Sequence, residues 1–306
     1  MRRQDKLAPK FLVRTSWALV AVFAVLALAV WSAPPTSANH PVLVEGNCDS
    51  PVPGTVIVQQ GTCGDFDGDG RIGTAEDTDG ADRIFGTISA AVGPGTGAAA
   101  GTGANFNGRV IIVKSGRYSE AIDPMTTNSM ITLNIAAHLQ IEAAPGVEAN
   151  IDAVFQGDPA GGNTARQGGI GILMNLAPGA SVTLRNLTIR NFLIGIRQKG
   201  GGRLLIDNCR IDNNFDYGVQ VLDQSNLLME KSEITGTGRR VPGGVSPLGH
   251  GLNVADSASA VLNRSSIFNS KGAGVQNTSV VVTFDSLIAY NDGGASIGNA
   301  IVKGTY

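Results

Sequence analysis

Between Gly179 and Ala300, short apolar-polar alternations return at a fixed interval. Val182, Leu184, Leu187 and Ile189 set the pattern, with polar residues between them. Alternation with a period of two marks a strand with one buried face. The runs align as Asn186–Asn191, Asn208–Asn213, Lys231–Gly236, Arg264–Asn269 and Asp285–Asn291. Their centres are Ile189, Ile211, Ile234, Ile267 and, with Asn291 taken as the anchor, Ala289, spaced by 22, 23, 33 and 22 residues. A second column runs in step: Gly171-Ile172, Gly195-Ile196, Gly218-Val219, Gly251-Leu252 and Gly274-Val275. Such self-similarity predicts stacked units that bury apolar surface only against their neighbours. The repeat is too short for a pair of helices, and Gly, Asn and Asp between the runs supply turns. The expectation is an all-β solenoid of about eight coils, each of about 22 residues and about 4.8 Å above the last.

Stacking gives each column a role. Leu184, Ile206, Met229, Leu262 and Phe284 are expected to form one inward column. Asn191, Asn213, Asn269 and Asn291 are expected to form an amide ladder at a turn, with Gly236 as its gap, because such side chains satisfy turn backbone. Arg197, Gln220, Asn253 and Gln276 form an outward polar column. Cys209 falls in the column of Leu187, Ser232 and Ser265 and reads as a small buried core residue.

The pattern from about Phe85 to Ala300 resembles the right-handed parallel β-helix of the pectate-lyase-like superfamily. Thr87 can cap a short helix with Ile88, Ala91 and Val92 on one side. That helix, followed by Arg109–Glu120, resembles the start of many such proteins, where a helix plugs the open end. The resemblance implies a fold but no single activity, since the fold hosts lyases, hydrolases, esterases and adhesins.

Residues 1–38 are of another kind. Arg2, Arg3, Lys6, Lys10 and Arg14 precede an uncharged run from Trp17 to Trp31, and Thr36-Ser37-Ala38 offers small residues for cleavage. This is the pattern of a secretory signal peptide, and the run is short for a bilayer span. The expected product is secreted or periplasmic, with no stable membrane span once the leader is cleaved. The whole chain has net charge −2 and the leader +4, five basic residues against Asp5, which leaves −6 on the remainder. An acidic protein argues against nucleic acid as partner. Both tryptophans fall in the leader, so flat rings for stacking on neutral glycans are scarce.

Residues 39–84 read as an amino-terminal cap or linker, and 85–306 as the solenoid domain. Within the cap, Asp65-Phe-Asp67-Gly-Asp69-Gly70-Arg71-Ile72-Gly73-Thr-Ala-Glu76 fits D-x-D-x-D-G-x5-E at every fixed position. Asp65, Asp67 and Asp69 can converge on one hard cation, with the Arg71 carbonyl and a bidentate Glu76 completing the shell. The segment resembles an EF-hand-type calcium loop without an entering helix. Calcium there is expected to order the cap, because a metal bound only by the folded state stabilises it. Cys48 and Cys63 can close a loop of about 15 residues, worth about 3 kcal/mol on a chain-entropy account. With three His and no Cys-x-x-Cys, a zinc site is not expected.

Two features point to an outer binding surface. The third repeat is longer by 10 residues within the stretch Gly238–Gly251 (33 against 23), and an insertion in a regular repeat builds one wall of a groove. It brings Arg239, Arg240 and His250 as candidate ligands for carboxylates. Arg185, Arg190, Arg197, Lys199, Arg203 and Arg210 form a basic belt in sequence, which suits an acidic polysaccharide. The alternative is cross-coil pairing, Arg190 with Asp212 and Arg210 with Glu233. Gly249-His250-Gly251 resembles a short motif of polygalacturonases, with Asp216 one coil earlier. Phe215-Asp216-Tyr217 stands where that family has an Asp pair, and inverting hydrolysis needs two placed carboxylates. Arg240-Val-Pro242 resembles part of an Arg-x-Pro motif of pectate lyases, without the partner arginine. The reading is an exported β-helix that binds, or also processes, an acidic polysaccharide; a uronate-specific lyase or hydrolase and a structural or adhesive solenoid are the alternatives.

Overall fold

In the computed structural model, the described residues are 55–58, 84–85, 88, 92, 108–113, 115–118, 129–153, 169–238, 248–299 and 301–303. The leader, Cys48, Cys63, the 65–76 loop, Arg239 and Arg240 lie outside them. The described chain winds through three parallel sheets. A representative coil runs from Ser181–Arg185 in the first sheet to Leu187–Arg190 in the second and Ile194–Lys199 in the third. The next begins at Arg203–Asp207, paired in register with Ser181–Arg185. The first sheet has ten strands and the other two have seven each, and from Gly108 on every strand pairs with its equivalent one coil away. With the right-handed crossover that twisted strands impose, this is a right-handed parallel β-helix.

Each sheet sends at least one continuous column inward. In the first sheet Val110, Ile141, Leu184, Ile206, Met229 and Leu262 stack in register. In the second, Tyr118, Ile151, Ile189, Ile211, Ile234, Ile267 and Ile288 do so. In the third, Ile131, Ile172, Ile196, Val219, Leu252 and Val275 do so. From Val110 to Val275 these residues are at most 1% exposed and form one core. Ile88 and Val92, both in helical conformation, are buried against the same core. The first sheet also takes in Thr55–Val58, from the stretch read as cap and linker, between Ile84–Phe85 and Gly108–Ile112.

The last coil departs from the expected alignment by one residue. Ile288, not Ala289, pairs with Ile267. Thr283, not Phe284, pairs with Leu262, and Phe284 lies opposite Asn263. The turn explains the slip. Asn191, Asn213, Gly236 and Asn269 have φ of 68°, 54°, 67° and 58°, and the next member is Tyr290 at 54°, not Asn291. The amide ladder itself is short: Asn213 Nδ2 donates to Asn191 Oδ1 at 2.6 Å, and Asn191 Nδ2 to Asp152 Oδ1 at 2.6 Å. Asn291 occupies the following position, where its Oδ1 accepts from Ser270 N at 2.8 Å. Asn214 does the same for Phe192 N at 3.0 Å.

Those corner side chains explain the glycine column. A Cβ on Gly195 would meet Gly218 O at 2.6 Å and Asn214 Nδ2 at 2.7 Å; one on Gly218 would meet Ile234 Cγ2 at 2.4 Å. The glycines leave room for the corner to fold against the third sheet. At the opposite corner a second column of positive φ passes through Asn186, Asn208, Lys231, Arg264 and Asp285. Just beyond it, Cys209 N donates to Ser232 Oγ at 3.0 Å, Ser232 N to Ser265 Oγ at 3.2 Å and Ser265 N to Ser286 Oγ at 3.1 Å. Cys209 is thus a member of a buried capping column, as its alignment suggested. Burial pushes its thiol up to about 12, so it stays protonated and unreactive.

Candidate functional site

The core fills the inside of the coil, so recognition belongs to the outer faces. The proposed basic belt does not form one surface. Arg185 and Arg203 lie on the first sheet, Arg190 and Arg210 on the second, and Arg197 and Lys199 on the third. A run of arginines close in sequence is dispersed because one coil visits three faces.

On the first two sheets Arg185, Arg190 and Arg210 are paired across coils, while Arg203, exposed, has no ion-pair partner among the described residues. Arg185 Nε meets Asp207 Oδ2 at 2.9 Å, and Arg210 Nη1 meets Glu233 Oε1 at 3.4 Å. Arg190 sits in register with Asp212, yet its Nε pairs with Asp152 Oδ2 at 3.0 Å. Asp152, 1% exposed, also takes Arg117 Nε at 2.8 Å. Arg109 pairs with Glu142, and Arg264 with Glu230.

The third sheet differs. None of its seven strands contains Asp or Glu. Down its outer face runs the polar column read from the sequence, now joined: Arg197 Nε donates to Gln220 Oε1 at 2.6 Å, Gln220 Nε2 to Asn253 Oδ1 at 3.4 Å, and Asn253 Nδ2 to Gln276 Oε1 at 2.9 Å. Arg197 forms no ion pair with the described residues. Burial pulls its guanidinium below the usual pKa, and nearby Tyr217 and Asp216 act in the opposite sense. Beside it, Ile170, Leu173 and Ile194, with Leu193 and Tyr217, make an apolar cluster separate from the core. The alignment treated these residues simply as strand; the signal for the cluster was Leu173, one coil before Arg197 in the outward column.

His250 opens a strand of this sheet and is 7% exposed; it is not a residue of the insertion loop. Its ring stacks on Tyr217 with centroids 6.0 Å apart and planes at 29°. Ala273 N donates to its Nδ1 at 2.9 Å, which places the proton of the neutral ring on Nε2. Burial holds the imidazole below its ordinary pKa. Asp216, at the corner one coil earlier, accepts from His250 N through its carbonyl at 2.9 Å. The structure therefore brings Arg197, Asp216, Tyr217 and His250 onto one patch.

The insertion enters at the same patch. Gly238 and Gly249 take φ of 74° and 60° and lie side by side: a Cβ on Gly238 would be 2.8 Å from Gly249 Cα. Their contact closes the base of the 239–248 segment, so the coil resumes in register and Tyr217 pairs with His250 across the insertion. Arg239 and Arg240, within it, lie outside the described residues. So do Asp65, Asp67, Asp69, Arg71 and Glu76 of the calcium-type loop. Among the described residues no group of three His, Cys, Asp or Glu is placed to hold a metal.

A family model described as a right handed beta helix region matches residues 144–285. No curated protein and no solved structure matches the chain. Fold and family model agree that this is a β-helix repeat protein.

Proposed function

We propose that the protein is exported and binds an extracellular acidic polysaccharide along the outer face of its third sheet. The observation that carries this reading is Arg197: a half-buried cation whose hydrogen-bond partner is a neutral amide, on strands without a carboxylate. A desolvated, unpaired charge is costly unless a ligand supplies the counter-charge. A uronate carboxylate would meet Arg197, and sugar hydroxyls would meet Gln220, Asn253 and Gln276. Coils about 4.8 Å apart present these groups in a row suited to a polymer lying along the axis. Arg239 and Arg240, which follow Gly238 in sequence, are proposed to add cationic ligands for the polymer. Binding is favoured over cleavage because Asp216 is the one carboxylate at the patch among the described residues, while hydrolysis of a glycosidic bond needs two.

Calcium is proposed to order the connection between Thr55–Val58 and Ile84–Phe85, which are neighbours at the edge of the first sheet. Asp65, Asp67, Asp69, Glu76 and the Arg71 carbonyl would hold it. Thermal unfolding with calcium or with chelator, and with polygalacturonate, alginate or a neutral glucan, tests both ideas. Asp67→Asn with Asp69→Asn should lower Tm in calcium and leave it unchanged in chelator. A uronate polymer should raise Tm in the native protein and not in Arg197→Met; an equal rise in both overturns the site. Release of reducing or unsaturated ends from the polymer would transfer the reading to an enzyme.

A further inference from the structure

A cavity of about 670 Å³ lies at the corner between the first and second sheets, away from the third. Its wall is an interruption of the regular corner. Most coils pass this corner in one or two residues, such as Asn186 or Asn208-Cys209, but the second coil uses Ala144–Glu148. That segment is a rigid turn. Pro145 and Gly146 are its central residues, Gly146 has φ of 79°, and Val147 N donates to Ala144 O at 3.0 Å. Proline followed by a glycine of positive φ is the pattern of a type II turn. Glu148 N is further tied to Ser115 Oγ at 3.0 Å. The wall is preformed, so a ligand loses little in ordering it.

The floor has polar groups to spare. Asn150 and Thr188 are register neighbours on the second sheet, both half-buried, and neither side chain hydrogen-bonds to the described residues. Asn208, exposed at the rim, donates its amide nitrogen to Asn186 Oδ1 at 2.8 Å, and its side-chain oxygen accepts no hydrogen bond from the described residues. The cations of the lining are already matched, Arg210 by Glu233 at 3.4 Å and Lys231 by Glu230 at 3.7 Å, and Glu148 adds an exposed carboxylate without an ion-pair partner among the described residues. Half-buried donors and acceptors without partners favour a ligand that offers both. Neutralised charges remove the pull on an anion.

We infer that this corner is a second binding site, for a short, neutral, hydroxyl-rich oligosaccharide held by edge hydrogen bonds. The cavity is of the size that small-molecule sites take. No aromatic ring lines it. Recognition is therefore by Asn150, Thr188 and Asn208 rather than by stacking, which reconciles a glycan site with the scarcity of aromatic residues.

The test is calorimetric titration of the full chain with cellohexaose, xylohexaose, mannohexaose and maltohexaose. At least one should bind. Thr188→Trp, on an outward strand position, should fill the cavity and weaken binding by about tenfold or more, and Asn150→Ala should weaken it as well. Arg197→Met, on the other face, should leave it unchanged. Circular dichroism of each variant reports folding, and Asn150→Ala decides the matter if Thr188→Trp fails to fold. No binding of any hexasaccharide, or binding indifferent to both corner variants, overturns the site. Loss in Arg197→Met alone would place neutral sugars on the third sheet instead.

Discussion

The outer faces of the first two sheets and that of the third are made from the same repeat, yet they spend their polar residues differently. On the first two, Arg185, Arg190 and Arg210 each meet a carboxylate in a neighbouring strand or coil. These pairs hold coil to coil. On the third, Arg197 heads a row of neutral amides, and its hydrogen-bond partner there is one of them. The difference teaches that charge counted along a solenoid says little until each residue is assigned to a sheet. Paired charges belong to the scaffold; Arg203 and Lys199, without ion-pair partners among the described residues, are exposed to water, and it is the half-buried Arg197 that is proposed to meet a ligand.

The largest expected effect falls on the scaffold side. Asp152→Ala removes a buried carboxylate that joins Arg117, Arg190 and Asn191, and should cost about 3 kcal/mol in denaturant unfolding. Uronate binding should survive at temperatures where the variant is folded. If binding is lost as well, the two faces are coupled and the contrast fails. Gly218→Ala comes next. Its Cβ would lie 2.4 Å from Ile234 Cγ2 and 2.7 Å from Gly251 O, so the corner must shift, at about 2 kcal/mol. Wild-type stability in that variant would mean that the glycine column is not needed for the close approach.

A smaller effect comes from His250. Its folded-state pKa is depressed by burial, so below about 6.5 the unfolded chain takes up a proton that the folded one resists. The stability it contributes is complete above that value and is lost as pH falls through the folded pKa. His250→Asn should flatten the pH dependence of unfolding in that window relative to the native protein; parallel profiles would show that the ring is not held neutral. The smallest change in stability is expected for Arg197→Met, within about 0.5 kcal/mol or slightly stabilising, because it removes a desolvated cation without a carboxylate partner. Here the large change should be in uronate affinity. A marked loss of stability with unchanged affinity would return Arg197 to the scaffold.

Much of the site was legible only in part. The column Arg197–Gln220–Asn253–Gln276 could be read because outward positions recur with the same period as inward ones. Its neighbours could not. Tyr217 meets His250 across the 239–248 insertion, and the pinch of Gly238 against Gly249 that keeps them in register is a contact in space. The corner cavity leaves no mark in the repeat, because Pro145-Gly146 falls between strands where the period says nothing. What makes it a wall is the brevity of the same corner in the coils above.

The periodic residues alone determined the fold, the inward isoleucine columns, the glycine column and the place of Cys209, since a solenoid writes its neighbours into a fixed spacing. Only the tertiary structure decided the register of the last coil, where Tyr290 rather than Asn291 takes the left-handed turn. It alone decided which arginines are paired, because a carboxylate on either adjacent coil lies in register with the arginine. Arg190 turning to Asp152 instead of Asp212 is settled by side-chain packing and local electrostatics, and no repeat pattern encodes that choice.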